Sequence, residues 1–264
     1  MKLSFQLADP AGNLTLLVTT PVPKEERRAV ATRLLALKEL KAEQVGFLVP
    51  PEGEGLVRLE MMGGEFCGNA LRSVGLYFAV DRGLRREKKI PVEISGCDRP
   101  LTVQVNPLTG QVTAEMPLPR DIHPCTLFGE PAQAVVLEGI VHGIYQGTAE
   151  PTEEEVRAAL ISLCEEFQMP AAGVMFWQFR KQTMRPAVYV KETDSLYFES
   201  SCASGSTAVA AWSARNANRD GVQQLDIQQP GGVIQTAAYI RVGKLEKITI
   251  GGLVTLGPAY DITF

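Results

Sequence analysis

Two stretches of this sequence would form largely apolar helices, one running from 68 to about 80 and one from 207 to 214. A helix without a polar face must be buried, so each needs its own wrapping of other elements. Each follows a turn of small residues carrying one cysteine. These turns are Gly63-Gly64-Glu65-Phe66-Cys67-Gly68-Asn69-Ala70 and Glu199-Ser200-Ser201-Cys202-Ala203-Ser204-Gly205-Ser206-Thr207. Around them a similar order of elements runs twice. In the first half, strand patterns at 3–8 and 14–20 precede a helix over 24–40 striped by Val30, Leu34 and Leu37. Strands at 44–49 and 56–62 lead to the first cysteine turn and its helix. Strands at 92–95 and 101–117 follow, the latter folded as a hairpin at Pro107-Leu108-Thr109-Gly110. The second half has strands through 134–146, then a helix from Thr152. Thr152 and Glu155 are spaced as a capping box, and Val156, Leu160, Leu163 and Phe167 make the stripe. Strands at 173–179 and 186–190 lead to the second cysteine turn, and strands at 225–228, 233–240 and 247–250 follow.

The expectation is an α+β fold of two pseudo-symmetric domains, each a mostly antiparallel curled sheet around a central apolar helix. The stretch 118–130, rich in Pro and polar residues, reads as the junction. It gives an N-terminal domain at 1–122 and a C-terminal domain at 123–254, with a return of the last strand, 255–264, to the first domain left open.

At 264 residues and 45% hydrophobic content, the chain has ample material for two cores. A net charge of −4 without a basic run argues against nucleic acid as a partner. The opening residues lack the apolar segment of a signal peptide and no stretch reaches membrane-span length, so no membrane partner and a cytoplasmic location are expected. Five cysteines, at 67, 97, 125, 164 and 202, form no CxxC pair, and there are only two histidines, so no metal site is expected. Cys97, Cys125 and Cys164 read as structural thiols, Cys164 because it falls on a helix stripe.

Cys67 and Cys202 differ from these in their setting. A helix N-terminus offers unpaired N–H groups and partial positive charge. It lowers the pKa of a nearby thiol and binds anions such as a carboxylate. Two such termini gripping one carboxylate would leave a sulfur on each face of the attached Cα. One thiolate could then remove the Cα proton while the opposite thiol delivers another, and the N–H groups would stabilise the charge that develops on the carboxylate. The competing reading takes both as small-residue helix starts with buried structural thiols. Their occurrence at matching places in both halves favours the catalytic one.

These residues resemble the diaminopimelate epimerase superfamily. Its two signatures, a Cys-Gly-Asn turn preceded by an acid and a Cys-Gly-Ser/Thr-Gly turn, appear here as Glu65-Phe66-Cys67-Gly68-Asn69 and Ser201-Cys202-Ala203-Ser204-Gly205. Gly12-Asn13, Glu43-Gln44-Val45-Gly46 and Gln229-Pro230-Gly231-Gly232 resemble further family motifs. The resemblance implies an active site in a cleft between two domains, with no pyridoxal phosphate, metal or other cofactor. It implies Cys67 and Cys202 as catalytic residues. It assigns Asn13, Gln44 and an acid matched to Glu192 to substrate binding, and the N–H groups of Gly68, Asn69, Ala203 and Ser204 to the α-carboxylate.

The distal-carboxylate grip of diaminopimelate epimerase is missing: its arginine position reads Thr193, its Asn-Pro-His strand reads Ile140-Val141-His142, and one asparagine reads Glu60. An anion buried without partners is costly. The strings Gly12-Asn13-Leu14-Thr15, Glu43-Gln44-Val45-Gly46-Phe47, Ile94-Ser95-Gly96-Cys97 and Gln228-Gln229-Pro230-Gly231-Gly232 are similar to the histidine racemases of staphylopine-type metallophore synthesis. Histidine is the substrate this implies, with Glu60 and His142 as candidate side-chain contacts, although a single His at a strand end reads first as structural. A homodimer stays open. The alternatives are a racemase or epimerase of another basic or diamino acid, diaminopimelate included, and an amino-acid-binding protein without catalysis. The phenazine-pathway isomerases share the fold but use an acid, which the paired cysteines argue against.

Overall fold

The computed structural model describes residues 2–217 and 219–264. The chain divides into two compact units, one of residues up to Glu115 together with Gly251–Phe264, the other of Met116–Ile250.

The first unit begins with β1 (Lys2–Asp9), β2 (Thr15–Val18), α1 (Arg27–Leu35), β3 (Gln44–Val49) and β4 (Val57–Met61). It continues with α2 (Gly68–Asp81), β5 (Lys88–Ile94), β6 (Leu101–Asn106) and β7 (Gln111–Met116). Strands β2 and β3 pair in parallel, as do β4 and β5, whereas β1–β2, β3–β4, β5–β6 and β6–β7 are antiparallel. A parallel pair needs a crossover long enough to return the chain. Here α1 and α2 supply one each.

The second unit repeats this plan. It comprises β8 (Asp121–Leu127), β9 (Glu130–Leu137), β10 (Ile140–Tyr145), α3 (Glu153–Glu166), β11 (Ala171–Gln178), β12 (Thr183–Val190) and β13 (Ser195–Phe198). Then come α4 (Ala203–Ala217), β14 (Gly221–Gln229), β15 (Gly232–Arg241) and β16 (Lys244–Leu253), whose residues from Gly251 on count with the first unit. Strands β10 and β11 are parallel across α3, and β12 and β14 are parallel across α4. The pairs β9–β10, β11–β12 and β14–β15 are antiparallel. The last strand, β17 (Thr255–Thr263), pairs antiparallel with β1 from Lys2↔Thr263 to Asp9↔Thr255, and Tyr260 stacks on Phe5 at 5.2 Å.

The apolar helices are buried as their composition requires. Every residue of α2 from Gly68 to Leu76 is buried, and α4 buries Ala203 and the run from Gly205 to Ala211. The outer helices bury one stripe only, Val30, Ala31 and Leu34 on α1, and Val156, Leu160, Leu163 and Cys164 on α3. Strand β11 lies between two cores: Val174 packs with Leu160 and Leu163 of α3, whereas Met175 and Trp177 pack with Ala208 and Val209 of α4. A strand covered on both faces reads as a continuous apolar run, as Ala-Ala-Gly-Val-Met-Phe-Trp does.

Several expected elements differ. The helix over 24–40 is shorter: 3₁₀ turns at Lys24–Glu26 and Lys38–Leu40 flank α1, and Leu37 leaves the helical region with ψ 81. Helix α4 starts four residues before the expected 207, because Ala203, Ser204 and Gly205 form its first turn. Strand β8 occupies part of the stretch read as a junction, paired with β9 in register through Pro124↔Gln133. Strand β13 was not expected at all. No helix among the described residues is long and apolar enough to cross a membrane.

Candidate active site

In the first unit, Cys67 is the N-cap of α2, with extended backbone (φ −134, ψ 113), and its Sγ accepts the Ala70 N–H at 3.4 Å. The Leu71 N–H donates to the Cys67 carbonyl at 2.9 Å, closing the first helical bond. Gly68 and Asn69 therefore hold the first two helical positions, where an N–H finds no carbonyl within the helix. The turn is braced from the residue after β5, where the Ser95 hydroxyl donates to the Glu65 carbonyl at 2.8 Å. Gly96 packs so closely that a Cβ there would lie 2.5 Å from the Phe66 nitrogen.

Asn13, Gln44 and Asn69, distant in sequence, come together beside this turn. Asn13 Oδ1 accepts from Gln44 Nε2 at 2.7 Å and from Asn69 Nδ2 at 3.1 Å. Gln44 Nε2 also reaches Thr15 Oγ1 at 2.8 Å, and Asn13 Nδ2 donates to the exposed Glu43 carboxylate at 2.7 Å. The three amides are at most 9% exposed. Arg72, one turn along α2, is fully buried and donates from Nη2 to the Pro10 carbonyl at 2.8 Å and to Asn69 Oδ1 at 2.9 Å. Glu60 lies in β4, ion-paired with both Arg27 and Arg58. Its charge is already met by two guanidinium groups, which counts against the side-chain role expected for it.

The second unit repeats the cysteine geometry. Cys202 Sγ accepts the Gly205 N–H at 3.4 Å, and the Ser206 N–H donates to the Cys202 carbonyl at 3.0 Å. Ala203 and Ser204 fill the first two positions of α4. The backbone of Cys202 is clamped from the Gln229-Pro230-Gly231-Gly232 turn: its N–H donates to Gln229 Oε1 at 2.8 Å, and Gln229 Nε2 donates to Ser206 Oγ at 3.0 Å. The Gly231 N–H donates to the Ser200 carbonyl at 2.7 Å. A Cβ on Gly205 would collide with the Met175 sulfur, so the turn packs directly on β11.

Cys202 is 5% exposed. Burial raises its pKa well above the ordinary thiol value, and the Glu199 carboxylate, which the thiol meets in a hydrogen bond, raises it further. Ser204 Oγ lies 3.5 Å from Cys202 Sγ and 2.8 Å from His142 Nε2. His142 is fully buried, its pKa is pushed down to about 3 by desolvation, and Nδ1 has no hydrogen-bond partner. The ring is thus neutral at ordinary pH. Glu192, the acid matched from the sequence, sits exposed in the turn between β12 and β13, and the carboxylate at Cys202 belongs to Glu199. No group of three or more His, Cys, Asp or Glu side chains among the described residues is placed to hold a metal ion.

A family model described as the histidine racemase CntK N-terminal domain matches residues 2–260. The chain belongs to that family. The histidine racemase of Staphylococcus aureus is 26% identical to it over 240 residues, covering 88% of this chain and 87% of its own. The histidine racemase of Fusobacterium nucleatum subsp. nucleatum is 29% identical over 243 residues, covering 88% of each. Among solved structures, a PhzF-family phenazine biosynthesis protein from Bacillus anthracis superposes with a TM-score of 0.70 over the whole of both chains at 14% identity. A hydroxyproline epimerase from Agrobacterium vitis superposes with a TM-score of 0.68 at 12% identity, covering 99% of this chain and 91% of its own. These two share the fold of the family.

Glu199, Gln229 and Arg72 were not singled out from the sequence. Glu199 stands inside the second cysteine motif, three residues before Cys202, and Gln229 opens the Pro-Gly-Gly turn, so both had a signal in position. Arg72 had one as the single charge inside an otherwise apolar helix start.

Proposed function

We propose that this amino-acid racemase inverts the Cα of histidine with Cys67 and Cys202 as its two bases. The observation that carries the two-base reading is the duplicated cap. In each unit a cysteine sulfur accepts the N–H three residues on, at 3.4 Å, at the start of a buried helix. The relatives from Staphylococcus aureus and Fusobacterium nucleatum support histidine as the substrate. One thiolate takes the Cα proton and the other thiol returns a proton to the opposite face, leaving the enantiomer and an enzyme with the two roles exchanged. The N–H groups of Gly68, Asn69, Ala203 and Ser204 take the α-carboxylate and stabilise the negative charge that spreads onto it. Asn13, Gln44 and Asn69 form a preformed amide cluster suited to the amino-acid head. Glu199 accepts the Cys202 thiol hydrogen bond and holds this cysteine in its proton-donating state. Neutral His142 fixes Ser204 and through it the sulfur.

Proton NMR of L-histidine with the purified protein in D₂O tests this. Loss of the Cα–H signal, with D-histidine appearing on a chiral column and no added cofactor, is the expected result. Exchange of another basic or diamino acid but not of histidine would keep the mechanism and overturn the substrate. Cys67→Ser and Cys202→Ser are each expected to lower the exchange rate at least about 100-fold, the range of a lost acid–base group, with little change in thermal midpoint. Full activity in either variant would overturn the two-base reading.

A further inference from the structure

We propose that Arg72 is a positioning residue for Cys67: its buried guanidinium holds that sulfur as the thiolate and ties the Asn13–Gln44–Asn69 cluster to the same helical turn. Helical side chains lean toward the N-terminus. Arg72 accordingly reaches back over the first turn of α2, where Nη2 meets Asn69 Oδ1 at 2.9 Å and the Pro10 carbonyl at 2.8 Å. The Cys67 sulfur caps that turn on Ala70. Arg72 is 0% exposed, and its Nε and Nη1 are buried without a hydrogen-bond partner.

Both acceptors of Nη2 are neutral oxygens. A guanidinium stays charged under all ordinary conditions, and a buried charge without a counter-ion is costly. Desolvation lowers the Arg72 pKa only to about 10, and the charges that hold it up are those of Cys67 first and Asp9 second. Asp9 spends one carboxylate oxygen on the Gly12 N–H at 2.5 Å. Glu65, close in sequence, turns its carboxylate back onto the Gly63 N–H. Of the two negative charges that act on Arg72, that of the Cys67 thiolate is the larger, ahead of the Asp9 carboxylate. The two cysteines then differ in kind. Cys67 faces a buried cation, Cys202 a carboxylate, so the resting enzyme carries its base at Cys67 and its acid at Cys202.

The inference rests on the racemase reading only for the use made of the thiolate, and its test needs no substrate. Iodoacetamide labelling of the full-length protein, followed by mass spectrometry at each cysteine, is measured across pH. Wild-type Cys67 is expected to label with a midpoint clearly below about 8.5, the free-thiol value. Arg72→Met and Arg72→Gln should raise that midpoint by about one unit or more, an about tenfold loss of thiolate near neutral pH, while Arg72→Lys keeps it and Cys202 is unaffected. An unchanged midpoint in a folded neutral variant, or a shift in Arg72→Lys equal to that in Arg72→Gln, would overturn the proposal. So would a wild-type Cys67 midpoint at or above about 8.5, whether or not the variants fold. Failure to turn over histidine with the labelling pattern intact would count against the substrate alone.

Discussion

Cys67 and Cys202 share a capping geometry and differ in what surrounds the sulfur, and at the scale of single residues that difference is measurable. Glu199 raises the Cys202 pKa by charge and hydrogen bond. Glu199→Gln removes the charge, so the Cys202 thiol should ionise, and label with iodoacetamide, at lower pH than in wild type; racemisation should fall by about 10- to 100-fold. Parallel labelling and activity assays check both. His142 predicts an acid sensitivity. Its folded pKa of about 3 lies below the unfolded value of about 6.5, so between those values the unfolded chain binds the extra proton. Stability from this residue is full above about 6.5 and declines as pH falls toward 3, by about 2 kcal/mol between pH 6 and 4.5. Urea unfolding at those two pH values should show a smaller loss in His142→Gln than in wild type. The sequence names Asn13, Gln44 and Asn69 as separate motif letters, and the fold joins them. It matched Glu192 to substrate binding and did not single out Glu199, because nothing in the letters around Cys202 shows which acid reaches the sulfur once the turn is folded.

At the scale of elements, the signals that survived were those written into neighbouring residues. The capping box of α3 forms as spaced: the Glu155 N–H donates to Thr152 Oγ1 at 3.3 Å and Glu155 Oε2 accepts the Thr152 N–H at 2.7 Å. Thr152→Ala should cost about 1 kcal/mol in chemical denaturation without altering activity. The apolar helices were equally legible, since the burial of α2 and α4 follows from composition alone. Strand β8 was not, because proline and polar residues suit a linker and an outlying strand alike, and only its pairing with β9 distinguishes them. The 24–40 helix kept its stripe in the sequence, yet Leu37 meets the core from a non-helical backbone. Periodicity records which side chains are buried and not by what path the chain delivers them.

On the scale of the whole molecule, the repeat of β–α–β crossovers was visible as an order of elements, although the halves show little identity. What the pattern left open was the destination of β17, because pairing between distant strands carries no local signal. In the structure it belongs with β1, where Tyr260 stacks on the buried Phe5. A variant lacking 255–264 should lose amide-exchange protection in β1 and β2 while α3 and α4 stay protected. Uniform loss of protection in both units would contradict two separate cores.

That arrangement has a consequence for synthesis. A ribosome releases β1 long before β17, so the earlier strand waits through the synthesis of the whole interposed unit for one of its partners. The interposed unit, contiguous in sequence, can close while the earlier one is still incomplete. Nascent chains paused before β17 should therefore carry a protected second unit beside a β1 edge open to chaperones.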